Sequence, residues 1–206
     1  LEHSLNDYRL QGYLPEAFLN FLVLLGWHPS RDREVLSIQE MIDEFTIRRV
    51  QRAGAVWNPE KLDWLNAYHL RHLSVDELVR RLAPFVPPAW QSDGALLRRV
   101  AAVERERLRH LREFPELVGF FFELPSYPRE MLQWKQTPPN VTVDNLRAVL
   151  ELLEALPEEA LEARTFEQAI TELATSRGRG EVLWPLRVAL TGRDASPPTT
   201  DIIATL

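Results

Sequence analysis

The sequence predicts an all-α protein, an elongated array of two to three small helical modules, and three observations carry that prediction. Apolar residues recur at i, i+3, i+4 and i+7 along most of the chain. Ser, Thr or Asn repeatedly stands just ahead of such a stripe, often with Glu or Gln three residues on, as at a helix start. The strict apolar-polar alternation of half-buried strands is scarce.

The first strong helix follows Pro15, with Phe18, Phe21, Leu22 and Leu25 as its apolar stripe and Gly26 placed to end it. A second begins at Ser37, whose hydroxyl caps the backbone while Glu40 reaches back, with Ile38, Met41, Ile42 and Phe45 as the stripe. Asn58-Pro59-Glu60 is a third start, cap followed by proline at the first helical position. Ser74 and Glu77 repeat the capping box ahead of Val75, Leu78, Val79 and Leu82. After a break at Pro84, Pro87 and Pro88, a long helix is expected from near Asp93 to Glu113, ended or kinked by Phe114-Pro115. A second proline-rich break runs from Pro125 through Pro139, and Thr142 then opens a helix carrying Leu146, Val149, Leu150 and Leu153. Thr165 and Gln168 form a further capping box before Phe166, Ile170 and Leu173, and 177–180 reads as a glycine-punctuated turn. The last helices are 181–191, closed by Gly192, and a short apolar piece from Thr200. No internal repeat or low-complexity tract is present.

With 206 residues, 45% of them hydrophobic, the chain can bury a real core, which excludes a disordered tail. No apolar run is long or charge-free enough to span a bilayer and no secretory signal opens the chain, so the sequence reads as soluble and cytoplasmic. The absence of cysteine excludes disulfides, thiolate zinc sites and a thiol nucleophile. A net charge of -6 makes any nucleic-acid surface a local patch. The cationic groups are almost all arginine, lysine being confined to Lys61 and Lys135. Guanidinium pairs bidentately with phosphate and stacks on bases, although a GC-rich genome would produce the same bias.

Six arginines fall in the expected long helix: Arg98, Arg99, Arg105, Arg107, Arg109 and Arg112. At the α-helical turn of about 100° per residue, Arg98, Arg105, Arg109 and Arg112 share a sector of about 60°, either a cationic ridge for phosphates or an ordinary solvated face partly neutralised by Glu106 and Glu113. Arg107 falls instead among Leu96, Val100, Val103 and Leu111. A charge there is paired with a carboxylate such as Glu104, reaches out to solvent, or points into a cleft at a ligand. His69 and His72, at i and i+3, lack an evident third metal ligand and read as a surface pair. The acidic run Glu151, Glu154, Glu158, Glu159 and Glu162 reads as a solvated helix face. No residue pattern is catalytic, cofactor-binding or metal-binding.

Four segments, in order, carry a family likeness: GYLPEAFLNFLVLLGW from Gly12, AVWNPEKLDWLN from Ala55, LREFPE from Leu111, and PLRVALTG from Pro185 followed by SPP at Ser196. Together they resemble the region that follows the signature lysine loop of bacterial glutamyl-tRNA synthetases, and the likeness covers essentially the whole chain after Leu1-Glu2-His3, which fits the family poorly. The resemblance implies the anticodon-binding type of that class I family: a stem-contact helical module over 1–73, a first anticodon-binding module over 74–130 and a second over 131–206. It implies binding of glutamate tRNA by a monomer, without DNA or membrane. Glutamate activation, with ATP and magnesium, is expected in the catalytic domain, whose HIGH-like and KMSKS-like motifs this sequence lacks, so no cofactor is expected here. A helical protein-interaction module that kept the fold and lost RNA binding is the alternative.

By the same resemblance Arg107 meets the third anticodon base, and Arg187, Ser196 and Pro197 meet the first. The chemistry suits Arg107: the Watson-Crick edge of cytosine offers acceptors at O2 and N3, whereas guanine offers two donors beside O6. An all-donor guanidinium therefore favours the cytosine of glutamate anticodons over the guanine of glutamine anticodons. Arg187 is equally placed to serve a helix C-terminus before Gly192. At Thr199 the thermophilic family pattern has a larger apolar residue, which puts base stacking there in doubt. Trp64 and Asn66 lie in the motif that contacts the tRNA body in the family, while tryptophans such as Trp57 and Trp64 also suit a core. Arg48, Arg49, Arg52 and Arg71 rank below the long-helix arginines as phosphate ligands.

Overall fold

The computed structural model describes residues 4–30, 33–51, 54, 56–157 and 164–206. Among them it contains twelve α-helices and no strand, only a single antiparallel bridge between Trp27 and Val50. The helices are α1 (Leu5–Gln11), α2 (Pro15–Gly26), α3 (Ile38–Glu44), α4 (Pro59–His72), α5 (Val75–Leu82), α6 (Pro88–Gln91), α7 (Gly94–Glu104), α8 (Phe114–Val118), α9 (Pro139–Ala155), α10 (Arg164–Arg177), α11 (Arg179–Thr191) and α12 (Thr199–Thr205). They form two compact units, one of residues 1–92 with 104–116 and one of 93–103 with 117–206. Sequence readings at 1–3, Arg52, Ala55, Glu158, Glu159 and Glu162 lie outside the described residues.

In the first unit α2 packs on α4, with Phe21, Leu62 and Leu65 in the core and Tyr8, Tyr13 and Phe18 against them. A smaller cluster of Trp27, Leu36 and Met41 holds α3. The caps are local chemistry and form as expected: Ser37 accepts from the Glu40 N–H, Asn58 from Lys61 and Ser74 from Glu77. Glu77 departs from the expected box, because its carboxylate binds Arg81 instead of reaching back. The stripes are narrower than their periodicity suggests. Of the α3 residues Ile38, Met41, Ile42 and Phe45 only Met41 is buried, since a two-turn helix offers one residue to the Trp27 cluster. On α2, Leu22 is exposed and the buried positions are Ala17, Asn20 and Phe21.

Two buried asparagines tie this unit together. Asn20 accepts from the Leu36 N–H at 3.0 Å and donates to the Glu34 carbonyl at 3.0 Å. Asn66, fully buried on α4, accepts from the Leu14 N–H at 2.8 Å and donates to the carbonyl of Arg109. Beside it the Leu111 N–H donates to the Gly12 carbonyl at 3.2 Å. Gly12 sits at φ 85, and a Cβ there would stand 2.7 Å from Leu111, so both its backbone angle and the close approach require glycine. Burial pushes the Tyr13 hydroxyl pKa up, and its hydrogen bond to Asp63 adds to the shift.

This clamp corrects the expected long helix. Asp93 does cap its start, accepting from the Leu96 N–H at 2.9 Å, but α7 ends at Glu104 instead of Glu113. Residues 105–107 turn, Leu111–Glu113 form a 3-10 turn, and Phe114-Pro115 open α8. The reason is tertiary: backbone groups of 109–111 that would bond within a helix are taken by Asn66, Glu113 and Gly12. Leu108, Leu111 and Phe114 are buried along this irregular path.

In the second unit α9, α10 and α11 pack around Val149, Phe166, Ile170, Ala174, Val182, Leu186 and Ile203. Helix α9 starts at Pro139 with Thr142 inside its first turns, where a β-branched residue at N4 does not cap. Thr165 likewise lies inside α10, which begins at Arg164. Gly192 closes α11 in the left-handed region, as expected. The Trp184 indole donates to the Met131 carbonyl at 2.8 Å and packs tilted against Trp134 with ring centroids 5.2 Å apart, anchoring 131–134 to α11. The Arg99 Nε–H donates to the Thr205 carbonyl at 2.9 Å, holding the end of α12. Glu151 and Glu154 are exposed on α9. No described helix is long and apolar enough to cross a membrane.

Replacing Asn66 by Ala strands the buried Leu14 N–H and the Arg109 carbonyl, at about 1–3 kcal/mol for each unsatisfied group. A loss of about 3 kcal/mol in denaturant-derived stability is expected, and a loss below about 1 kcal/mol contradicts the clamp. The Glu40 carboxylate, which accepts from the Ser37 N–H and pairs with Arg33, has its pKa lowered to about 2. A depressed carboxylate pKa supplies stability at neutral pH that is lost as pH falls through the folded value. The start of α3 therefore loosens as pH falls from about 4.5 through about 2, read from the Ser37 amide chemical shift, and Glu40→Gln abolishes that titration.

Candidate nucleic-acid interface

The arginines expected on one ridge are dispersed by the end of α7. Arg98 stays on α7, exposed, in the second unit, while Arg105, Arg107, Arg109 and Arg112 belong to the turns of 105–113 in the first. Arg105 is committed to structure: its Nη1 donates to the Leu73 carbonyl at 3.0 Å, at the end of α4. The chains of Arg109 and Arg112 are exposed, and only the backbone of Arg109 takes part in the clamp.

Arg107 sits in the turn just past α7, outside the apolar arc expected for it. Its N–H bonds the Glu104 carbonyl at 2.9 Å, and its Nε lies 3.5 Å from the Glu104 carboxylate. The Glu104 side chain is 1% exposed against 36% for Arg107, so the pairing is that of a half-exposed cation over a buried anion. Of the three outcomes open to a charge at this position, pairing with Glu104 is the one realised. The contact is a charge pair at a distance longer than a charge-assisted hydrogen bond, and the exposed part of the guanidinium stays accessible to a ligand edge.

Around Arg107 the loop is pinned on both flanks, before it by the Arg105 bond to the Leu73 carbonyl and after it by bonds to 109 and 110. Glu113 accepts from the N–H groups of Arg109 and His110, and the His110 ring lies 3.9 Å from Asp63 and 3.8 Å from Glu113. The family resemblance marks Asn66 as an RNA contact; the structure corrects this, because a fully buried amide with both ends bonded has no face for a ligand. Trp64, two residues away on the opposite face of α4, is 45% exposed and heads a row in which Tyr68 stacks on His72 at 4.0 Å. Trp57 is also partly exposed, with its edge on Phe21. His69 contacts Asn20 at 3.3 Å, and burial lowers its pKa. Arg48 and Arg49 lie exposed on the 3-10 turn Ile47–Arg49, and Arg71 is half-buried on α4.

The second cluster lies in the other unit. Arg187 is half-buried on α11, and its carbonyl accepts from the Thr191 hydroxyl at 2.7 Å. Ser196 is half-buried and donates to the Pro197 carbonyl at 2.8 Å. Pro197, expected to meet the first anticodon base, is buried, whereas its neighbour Pro198 is exposed at the N-cap position of α12. Thr199, the departure from the family pattern, is 6% exposed and serves the start of α12.

Sequence reasoning missed α1 altogether. Its signal was present in Ser4 and Asp7, which form a reciprocal capping box at 3.3 and 2.8 Å. That helix brings Arg9 to the surface of the first unit.

Comparison with known proteins gives these positions a setting. Residues 77–206 match the family model for an anticodon binding domain, and residues 2–64 match part of the model for the catalytic domain of class I tRNA synthetases of the E and Q type. The glutamate-tRNA ligase of Clostridium acetobutylicum is 33% identical over 94% of this chain and 40% of its own length. That of Roseiflexus castenholzii is 36% identical over 98% of this chain and 41% of its own. A crystal structure of a glutamate tRNA ligase from Elizabethkingia meningosepticum, in complex with its amino acid, superimposes with a TM-score of 0.80 at 27% identity, covering 96% of this chain and 39% of that one. The chain thus spans about two fifths of the length of the curated relatives it matches. With more than half of its residues matched to one domain model, the chain belongs to the anticodon-binding domain family, in the form that glutamate-tRNA ligases carry.

Proposed function

We propose that this chain binds glutamate tRNA and reads its anticodon, as a monomer in the cytoplasm. The observation that carries the reading is the partly exposed Arg107 guanidinium, paired at 3.5 Å with the buried Glu104 carboxylate on a loop tied down at Arg105 before it and at Arg109 after it. A donor fixed in this way selects cytosine over guanine, because the guanine edge would set its own donors against the guanidinium. Arg187 and the Ser196 to Pro198 rim form the second contact, for the first anticodon base. The three-module division at 73 and 130 is part of this proposal, with the first module on the tRNA stem. The ligation of glutamate to tRNA, with its ATP and magnesium, is assigned to the catalytic part of such an enzyme; this chain supplies docking.

Polarisation titration of the chain with two tRNA transcripts, differing only in C or G at the third anticodon position, tests the reading. The unaltered chain is expected to prefer C by about 1–3 kcal/mol, the usual worth of a well-placed polar discrimination. Arg107→Gln removes most of that preference, while Arg107→Lys, which keeps the charge over Glu104, preserves folding and loses the bidentate fork. An unchanged preference in Arg107→Gln contradicts the assignment, and no binding even at low salt contradicts tRNA recognition itself.

A further inference from the structure

The first unit contains a cleft of about 620 Å³ that the anticodon reading does not use. Three elements meet at it, each bringing an arginine: Arg9 from the end of α1, Arg81 from α5 and Arg112 from the 3-10 turn Leu111–Glu113. Its apolar wall includes Leu10, Pro84 and Phe85. Helix α1 and α5 both pack against that turn, so the convergence is built by the fold.

The three cations differ in what they are free to do. Arg81 is already neutralised, its Nη1 2.7 Å from Glu16 and its Nε 2.6 Å from Glu77, and it braces α5 against α2. Arg9 and Arg112 are exposed, and among the described residues no ion pair engages either. Two unneutralised guanidiniums at the mouth of an apolar cleft, in a chain whose net charge is -6, are a local positive site in an acidic background. Its volume lies in the range of small-ligand sites, and a side wall of Phe85 and Pro84 offers a face to a planar ring.

We propose that this cleft binds a segment of RNA backbone, Arg9 and Arg112 each taking a phosphate while one base turns onto Phe85 and Pro84. The proposal rests on the tRNA-binding reading and extends it to a second, sequence-independent contact away from Arg107. Phosphate contacts of this kind set position without reading sequence, and each contributes to the salt dependence of binding.

Binding of the same tRNA transcripts is measured by polarisation across a series of salt concentrations, for the chain and for Arg9→Gln, Arg112→Gln, their combination, and Phe85→Leu. Each single arginine change is expected to weaken binding about 3- to 10-fold at low salt. The double variant lowers the slope of log affinity against log salt by about 1.5, and leaves the C-over-G preference intact. Phe85→Leu keeps an apolar wall and loses the ring, weakening binding about 5-fold without changing the slope. Arg147→Gln, an exposed arginine on α9, serves as control. Unchanged affinity and slope in the double variant overturn the cleft alone, provided Arg107→Gln still alters base preference; so does an equal loss in Arg147→Gln. Failure of the unaltered chain to bind at low salt overturns the cleft together with the tRNA reading.

Discussion

The first unit depends on one buried amide. Asn66 joins the loop before α2, through the Leu14 N–H, to the turn after α7, through the Arg109 carbonyl, and it does so from a helix that belongs to neither. A neutral side chain with both a donor and an acceptor is what such a junction needs: aspartate would lack the donor and leucine both bonds. Around it every neighbouring constraint points the same way. Gly12 lets Leu111 approach, Glu113 gathers the N–H groups of 109 and 110, and Leu108 and Leu111 fill the space beneath. A helical path through 105–113 would satisfy the same backbone groups locally but would take the Arg109 carbonyl from the buried Asn66 amide N–H and the Leu111 N–H from the Gly12 carbonyl.

The function proposed for the chain follows from that diversion. Carried on as a helix, 105–113 would set Arg105, Arg109 and Arg112 on one stripe, suited to phosphates and blind to sequence, and would turn Arg107 onto the apolar face. Broken into turns, it gives three of the arginines separate settings. Arg105 closes the end of α4, Arg107 stands over Glu104, and Arg112 moves to the cleft shared with Arg9. Much of the remaining charge in the unit is consumed internally, as where Arg33 bridges Glu40 and Glu44 and Lys61 meets Glu34. Surface pairs of this kind add little stability. Their consequence here is electrostatic: they leave the arginines of the loop and of the cleft as distinct positive features on an acidic protein.

What was legible in the sequence was local. Ser37, Asn58, Ser74, Asp93 and Gly192 act on backbone groups within four residues, and each does what its identity announces. The end of α7 was illegible because the amide that takes the Arg109 carbonyl, that of Asn66, stands 43 residues from it, and helix propensity yields to such contacts. Periodicity also overstated the core, marking Leu22, Ile38 and Ile42 as interior, since a stripe shows which face turns inward without saying how far burial extends around it. The site was half legible. The position of Arg107 on an apolar background gave notice of a paired charge, and Glu104 was the nearest carboxylate, whereas the burial of Asn66 and Pro197 depends on tertiary packing that no motif displays.

In the proposed function, Asn66 acts on recognition through Arg107, by holding the loop that presents it. A double-mutant cycle of Asn66→Ala and Arg107→Gln, read as the preference for C over G at the third anticodon position under conditions where all four proteins are folded, measures that coupling directly. Asn66→Ala alone is expected to erase most of the preference, and adding Arg107→Gln to remove nothing further. Independent, additive losses, or a preference untouched by Asn66→Ala, would contradict it.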